Sequence, residues 1–384
     1  MAVKRIIYAC MLIAAAVTFI VANSGIALFL LICLLVIPLI SLVMLLIVRN
    51  SLRFDLAVRE ACIRGGTLQL SMRASVSPRF FVGGVKIVTL IENTTFHKSE
   101  YKSYMFDDLS FAPHVFDYNG ANSGRINVRC ASLRLVDLLG IFTVKVKCSA
   151  FAEAIVSPVL YENITVNIGD NGRDAVYGDT SLPHKGGDIT EIYNVRDYVQ
   201  GDAPNSIHWK LSGKYGTLKS KEFGATDDRK ILILVDMSRI KFGYEASDEQ
   251  LNAVLDVAIS ISNSLKSANC PHTVGWFDNG EFACAEVNDG NTFVHAVDRL
   301  MSVKVKDGNE EDLFYLARTA ECAVFTKIIF VSANVNNDEF KQLYDTEVTA
   351  IEVGNGYGET SDAGVRIINI PCDGIENALA SCVI

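Results

Sequence analysis

The strongest constraint in this chain is its opening, where no charged side chain occurs between Arg5 and Arg49, a run of 43 residues. As a single α-helix this run would reach about 65 Å, roughly twice the hydrocarbon core of a bilayer. Three consecutive turn-forming residues, Asn-Ser-Gly at 23–25, divide the run. The pattern therefore predicts a transmembrane hairpin in residues 1–50, with spans at 6–22 and 26–48.

The charges around the hairpin indicate its orientation. Lys4 and Arg5 precede the first span, arginines recur through residues 49–64, and the intervening turn carries no charge. The positive-inside rule then places both termini in the cytoplasm of a multi-pass protein in the cell (inner or plasma) membrane, with the lipid bilayer as the partner of residues 6–48. A cleavable signal peptide is the alternative for the first span, and the second span would then remain as the anchor.

The composition after the hairpin narrows the class of partner. Residues 65–384 carry 29 basic and 42 acidic side chains, a net charge of −13. This charge argues against nucleic acid as a partner. Ten cysteines occur without a C-x-x-C pair or a histidine at metal-ligand spacing, which is typical of thiols in a reducing compartment.

The body divides by the period of its apolar residues. Short alternating runs between turn residues in 51–166 predict a β-sandwich domain, and residues 167–229 form a polar linker. Residues 230–384 begin with the continuous apolar run Ile231–Val235 and continue with an apolar stripe of helical period over 251–265. Further strand patterns alternate with helical ones, so an α/β domain with a mostly parallel sheet is expected there.

The linker contains the most distinctive motif. The residues from Arg196 through Trp209 fit R-x-Y-x-x-G-D-x-x-x-x-I-x-W, and a strand ending in D-x-S follows at Asp236. This order resembles the bacterial domain-of-unknown-function-58 family, and the D-L-L-G-I-F segment at 137–142 is similar to that family's D-P-F-G-L-F turn. Two positions depart from the family pattern, with Asn205 where arginine is usual and His208 where aspartate is usual.

The resemblance implies a membrane-anchored protein whose C-terminal domain is similar to von Willebrand factor A domains. It also implies a partner, a MoxR-type AAA+ ATPase, and a role in chaperone-like work or the assembly of complexes. The signature residues that could bind a partner or ligand are Arg196, Tyr198, Gly201, Asp202, Ile207, Trp209 and Lys210.

The residues of the motif allow two physical interpretations. Arg196, Lys210 and Lys214 could form a basic patch for a carboxylate or phosphate. Alternatively, Arg196 and Asp202 form an internal ion pair that fixes the loop. We expect Trp209 to pack into the domain.

A metal site of the von Willebrand type needs D-x-S-x-S, in which a carboxylate and two hydroxyls hold Mg²⁺. Here Asp236 and Ser238 are present, but Ile240 replaces the second serine, and Arg239 places a cation nearby. The motif is incomplete, so no cofactor is expected, and Asp236 is interpreted as capping the loop after the sheet. Mg²⁺ held by Asp236 and Ser238 is the alternative.

The sequence contains no P-loop, zinc-protease or serine-hydrolase motif, and we assign no catalytic residue. The function expected is a membrane-anchored cytoplasmic protein-binding or assembly module that acts with an AAA+ ATPase. An enzyme with a site around Arg196, Asp202 and Asp236, or a structural component of the envelope, are the alternatives.

Overall fold

Two long helices open the computed structural model. It describes residues 2–22, 24–58, 61–76, 83–106, 113–162, 164, 192–199, 207–223, 230–278, 280–306, 325–336, 340, 346–354, 356–362 and 365–381. Helix α1 spans Ala2–Ala22 and α2 spans Gly25–Ser51. The side chain of Ser24 caps α2 by accepting a hydrogen bond from the backbone N–H of Ala27 (3.3 Å). The two helices contact each other, and the Tyr8 hydroxyl donates to the carbonyl of Leu34.

Both helices are long and apolar enough to cross a membrane. Their mean hydropathies are 2.2 and 3.3, and most of their large apolar side chains are exposed, among them Ile20 at 76% and Phe29 at 66%. The core helix of a soluble protein has such side chains covered by protein, whereas these have no protein over them. The predicted pair of N-terminal apolar helices is confirmed.

The last turns of α2 belong to the body of the protein. Leu45 and Val48 are buried in the same hydrophobic cluster as the strands that follow, while most large apolar residues further back on α2 are exposed. The helix then runs directly into the first strand at Leu52. Because α2 contributes to this core, the hairpin is fixed to the body by packing as well as by the chain.

A strand-rich region follows α2, and we call it the β-rich region. It includes the segment after its last strand, up to residue 164. Its strands are β1 (Leu52–Val58), β2 (Cys62–Ile63), β3 (Thr67–Val76), β4 (Gly84–Asn93), β5 (Lys98–Phe106), β6 (His114–Asn119), β7 (Gly124–Val136), β8 (Thr143–Val146) and β9 (Phe151–Ser157). Within the described ranges they form one sheet in the order β1-β3-β6 and a second in the order β2-β9-β7-β4-β5, with β8 beside β7.

The two sheets share one hydrophobic core. Strand β3 alternates buried and half-buried or exposed residues along its length, as a strand with one face on a core does. Its buried members Leu68, Leu70 and Met72 lie in one cluster with Val85 and Ile87 of β4 in the other sheet. Of the β-sandwich domain predicted for 51–166, the strand-rich character is therefore confirmed.

A small module lies between this region and the C-terminal domain. It consists of β10 (Ile192–Asp197), α3 (Trp209–Tyr215) and β11 (Lys219–Phe223), in which β10 and β11 pair antiparallel. The backbone N–H of Tyr198 donates to the carbonyl of Leu218 (2.9 Å), which extends the pairing beyond the strands.

The C-terminal domain is built on a larger sheet. Its elements in chain order are β12 (Ile231–Val235), β13 (Ile240–Lys241), β14 (Tyr244–Glu245), α4 (Asp248–Ser267), β15 (His272–Asp278), β16 (Glu281–Val287), α5 (Gly290–Leu300), β17 (Lys327–Ser332), β18 (Glu347–Gly354), β19 (Gly358–Asp362), β20 (Val365–Pro371) and α6 (Ile375–Ser381). In the described part of the chain the sheet order is β16-β15-β12-β17-β18-β20-β19. The strands from β15 to β20 in this order pair in parallel, and β16 and β19 are antiparallel at the edges.

Helix α4 packs across β15, β12, β17 and β18, and most of its residues are buried. Ser247 and Gln250 form a capping box at its start. Helix α4 also carries a polar stripe, with a residue at every fourth position, that faces the β-rich region. The stripe is Asp248, Asn252, Asp256, Ser260 and Ser264.

Each member of the stripe bonds the β-rich region. The contacts are Asp248 with Lys98, Asn252 Oδ1 with the N–H of Ser123 (2.8 Å), Asp256 Oδ1 with the N–H of Val159 (2.9 Å), Ser260 Oγ with the N–H of Tyr161 (2.9 Å), and Ser264 Oγ with the carbonyl of Ile164 (2.8 Å). Asn252, Asp256 and Ser260 are buried, and buried polar groups need hydrogen-bond partners, so these contacts fix the β-rich region against the larger sheet.

Candidate functional site

The first candidate site lies at the carboxyl ends of β12 and β17. These strands are parallel neighbours, and the chain leaves β12 for β15 on one side of it before returning to β17 on the other. Crevices at such reversals of strand order are where open, largely parallel sheets bind ligands. Asp236 follows β12 here, and Ser332 ends β17.

Asp236 is fully engaged inside the protein. Its Oδ1 accepts from the backbone N–H of Ser238 (3.0 Å), and its Oδ2 accepts from the Ser332 hydroxyl (3.0 Å) and from Lys241 Nζ (2.8 Å). The side chains of Lys241 and Asp236 are only 3% and 1% exposed. The interpretation of Asp236 as a capping residue agrees with its bond to Ser238.

The ammonium group of Lys241 binds the Asp236 carboxylate, which is the group that would have to bind a divalent cation. Burial alone would raise the pKa of Asp236, but the charge of Lys241 and the hydrogen bonds from Lys241 and Ser238 outweigh it and lower the pKa. Lys241 Nζ also lies 4.7 Å from the centre of the Phe330 ring, so the cation is well solvated by protein. Asp236 and Ser238 do lie together here, but Mg²⁺ would have to displace a buried ion pair.

The other residues of the incomplete motif, Arg239 and Ile240, do not contact the Asp236 carboxylate in the described contacts. Arg239, which the sequence suggested as the nearby cation, pairs with Asp248 at 2.7 Å and leaves Asp236 to Lys241. Ile240 lies in β13 and is 37% exposed. Within the described residues no group of three or more His, Cys, Asp or Glu side chains could hold a metal ion.

Sequence reasoning missed Lys241. The residue reaches back to Asp236 because β13 and β14 form a tight hairpin, with Lys241 opposite Tyr244 and the turn at Phe242-Gly243. Both turn residues have positive φ, at 49° and 79°, as a two-residue hairpin turn of type I′ requires. An aromatic-Gly pair seven and eight residues after a buried strand is a weak signal, so the return of Lys241 was not predictable from it.

The second candidate site is the β10–α3–β11 module, which carries the signature residues. The His208 side chain caps α3, with Nδ1 accepting from the backbone N–H of Leu211 (3.3 Å). The capping position is the one where the family pattern has aspartate, and aspartate is a strong N-cap residue. The Ser212 hydroxyl donates to the His208 carbonyl (3.0 Å) and accepts from the N–H of Lys219 (2.8 Å), which ties the helix to β11.

The structure distributes the signature residues over this module. Arg196 lies in β10, where its Nη1 donates to the carbonyl of Asp197 (3.0 Å). Ile207 is buried and bridges to Ser220 of β11, and Lys210 is exposed on α3. Gly201 and Asp202 lie outside the described residues, so the predicted ion pair between Arg196 and Asp202 stays a prediction.

Trp209 was expected to pack into the domain, and this prediction is wrong, because its side chain is 68% exposed. It starts a seven-residue helix that buries only Ser212, too short to bring its first residue onto a core. Other large apolar side chains of the module are exposed as well. We call this set the α3 surface: Val199, Trp209, Tyr215 and Leu218.

Basic side chains accompany the α3 surface. Lys214 Nζ lies 5.6 Å and Lys219 Nζ 5.9 Å from the centre of the Tyr215 ring. Lys219 also pairs with Asp197 at 2.7 Å. Lys214 of the predicted basic patch therefore lies beside an exposed aromatic ring. That it forms one patch with Arg196 and Lys210 stays a prediction.

Comparisons with known proteins add no assignment to either site. No protein-family model matches the chain, and no curated protein matches it.

Proposed function

We propose that the protein is a membrane-anchored binding or assembly module whose body works in the cytoplasm. The two exposed apolar helices and the arginines and lysines at their outer ends support a hairpin that crosses the cell membrane twice. The described cysteines are all free, as expected of a protein in a reducing compartment.

We assign the chain to the domain-of-unknown-function-58 family as part of the same proposal, with the C-terminal domain similar to von Willebrand factor A. Parallel strands at the centre of the larger sheet and Asp236 at the end of β12 support the assignment. Because Lys241 already pairs with Asp236, the proposal includes no metal bridged by Asp236.

The observation that carries the function is the α3 surface. Exposed tryptophan and tyrosine side chains lose little conformational entropy on binding, and they dominate the energetics of many interfaces. The surrounding lysines fit a partner with an apolar recess and acidic residues around it. The partner is a MoxR-type AAA+ ATPase, whose cycle would assemble or remodel a client held by the module.

The test is affinity capture of the full-length protein from a detergent extract of its own cells, in ATP, in ADP and without nucleotide. We expect an AAA+ ATPase to be retained in at least one state. Trp209→Ala combined with Tyr215→Ala should reduce retention at least tenfold, because each ring contributes about 1–2 kcal/mol at an interface. Tyr101→Ala removes an equally exposed ring from β5 and should change nothing.

Failure to retain any AAA+ ATPase in all three states would show that this proposal is wrong. It would then favour the alternative of a structural component of the envelope. The alternative of an enzyme around Arg196, Asp202 and Asp236 requires these groups to converge. Asp236, however, is already committed to Ser238, Ser332 and Lys241.

A further inference from the structure

A row of basic side chains crosses the second sheet of the β-rich region, at the end of the sheet that lies near helices α1 and α2. Lys86 of β4 lies directly opposite Arg134 of β7, and Arg134 lies directly opposite Lys145 of β8. Residues in register on neighbouring strands point to the same face, and here all three side chains are exposed. We call these three residues the basic row.

Within the described residues the basic row forms no ion pair, since the ion pairs of this region involve other side chains. Like charges directly opposite one another destabilise a sheet. The same strand shows the contrast, because Arg129 of β7 pairs with Glu92 of β4 at 3.1 Å. Because the unpaired charges of the basic row do not stabilise the sheet, we look for a ligand that they bind.

The row lies beside the base of the hairpin. The turn after β7 contacts both helices: Ser41 of α2 donates to Asp137 Oδ2 (3.1 Å), and Arg5 Nε of α1 donates to the carbonyl of Ile141 (2.7 Å). Gly140 has a φ of 72°, and a Cβ built on it would lie 2.8 Å from Cδ of Lys4. The basic end of α1 is thus packed against this turn.

A pocket of about 490 Å³ opens between the basic row and the turn. Lys4, Lys86 and Arg134 line it, and Asp137 is the acidic residue in the lining. The Asp137 carboxylate is occupied, because its Oδ1 accepts from the N–H of Phe142 (2.8 Å) and its Oδ2 from Ser41. Among the described residues that line the pocket, three cations therefore face one carboxylate that is already bonded.

We propose that this pocket binds the phosphate of an anionic phospholipid headgroup from the membrane that holds the hairpin. The proposal rests on the membrane anchor in the proposed function and is independent of the ATPase. Two exposed apolar side chains of the lining, Met105 and Leu138, would meet the acyl region beside the headgroup. Basic pockets at the cytoplasmic ends of membrane helices recognise lipid phosphates in this way.

The experiment uses the full-length protein reconstituted in nanodiscs of phosphatidylcholine with one-quarter phosphatidylglycerol, and native mass spectrometry counts the phosphatidylglycerol molecules that stay bound. We expect the wild type to retain phosphatidylglycerol over phosphatidylcholine. Lys86→Gln with Arg134→Gln should lower this preference at least tenfold, at about fivefold for each charge near the surface. Arg129→Gln, which removes a charge five residues earlier in the same strand, outside the pocket lining, is the matched control and should keep the preference.

A second measurement separates a lipid site from a merely structural role. In detergent alone, the Lys86→Gln, Arg134→Gln variant should melt at the same temperature as the wild type or higher, because repulsion within the row is relieved. Added phosphatidylglycerol should raise the melting temperature of the wild type and not of the variant.

Three results would overturn the proposal: equal retention of both lipids by the wild type, an unchanged preference in the variant, or the same stabilisation by inorganic phosphate without lipid. The last would indicate a soluble phosphate compound as the ligand. Release of the protein from membranes without detergent would instead refute the anchor, which is a distinguishable failure.

Discussion

The end of β12 and the α3 surface differ in whether their functional side chains are buried or exposed. At the strand end, Asp236 and Lys241 are buried, and each neutralises the charge of the other in an ion pair. On α3, Trp209 and the lysines around it face solvent. An incomplete metal-binding motif, such as the one at Asp236, can therefore have its carboxylate paired with a lysine of the same protein. The neighbouring module, with no complete chemical motif, keeps the groups that a partner can contact.

The largest effect is expected from breaking the buried pair. Lys241→Met leaves the Asp236 carboxylate buried without its cation, and the free energy of unfolding should fall by about 3–5 kcal/mol. Denaturant titration of the protein in detergent micelles measures the loss. Asp236→Leu combined with Lys241→Met should regain much of the stability, since both charges are then absent. A loss below about 1 kcal/mol in the single variant would show that the pair is not buried as described.

Removing the central member of the polar stripe tests the contact between the two large regions. Asp256→Ala removes the partner of Arg64 and the acceptor of the Val159 N–H. It should cost about 2–4 kcal/mol, because buried groups are left unpaired. Asp298→Ala, which removes an exposed partner of Arg125, is the control and should cost less than about 1 kcal/mol. Equal losses in both variants would contradict a stripe that fixes the interface.

The two buried aspartates should respond to pH in opposite directions. Burial raises the pKa of Asp256 to about 6, and Arg64 offsets this only in part. The folded protein then binds a proton that the unfolded chain has released, so this group's contribution to stability falls as the pH rises from about 4 to about 6. The pKa of Asp236 is lowered, so its contribution is lost only as the pH falls below the ordinary range of aspartate.

Asp256→Asn isolates the first of these effects. The free energy of unfolding, measured at half-unit steps between pH 4 and pH 7, should decline less steeply with rising pH in the variant than in the wild type. Parallel curves for the two proteins would show that Asp256 titrates normally.

The smallest change in stability is expected on the α3 surface. Trp209→Ala and Tyr215→Ala should each alter the free energy of unfolding by less than about 0.5 kcal/mol, because both rings are already in solvent. Denaturant titration under the conditions used for Lys241→Met allows a direct comparison. A loss above about 1.5 kcal/mol would mean that these rings are packed in the folded protein and are not available to a partner.

The sequence predicted the features that depend on local periodicity. The uncharged opening run predicted two apolar helices. Alternating residues from 67 to 72 predicted a strand, which the structure has at Thr67–Val76, because one face lies on a core. What it could not predict depends on contacts between distant segments. The burial of Leu45 and Val48 in the β-rich core, within a predicted span, is set by where α2 meets the strands.

The same limit applied to the sites. Asp236 was placed correctly at a strand end, but its partner Lys241 is brought back by a hairpin whose turn signal is weak. The spacing of the polar stripe on α4 is readable in the sequence, with a polar residue at every fourth position from Asp248 to Ser264. Its meaning appears only when the β-rich region supplies the partner for each residue.

The most direct test of the central proposal, a hairpin in the membrane with the body in the cytoplasm, is a pair of C-terminal fusions to the full-length protein. One fusion carries green fluorescent protein, which fluoresces in the cytoplasm, and the other carries alkaline phosphatase, which is active only outside it. We predict a fluorescent, membrane-sedimenting first fusion and an inactive second one. An active phosphatase fusion with a dark fluorescent-protein fusion would contradict the proposal.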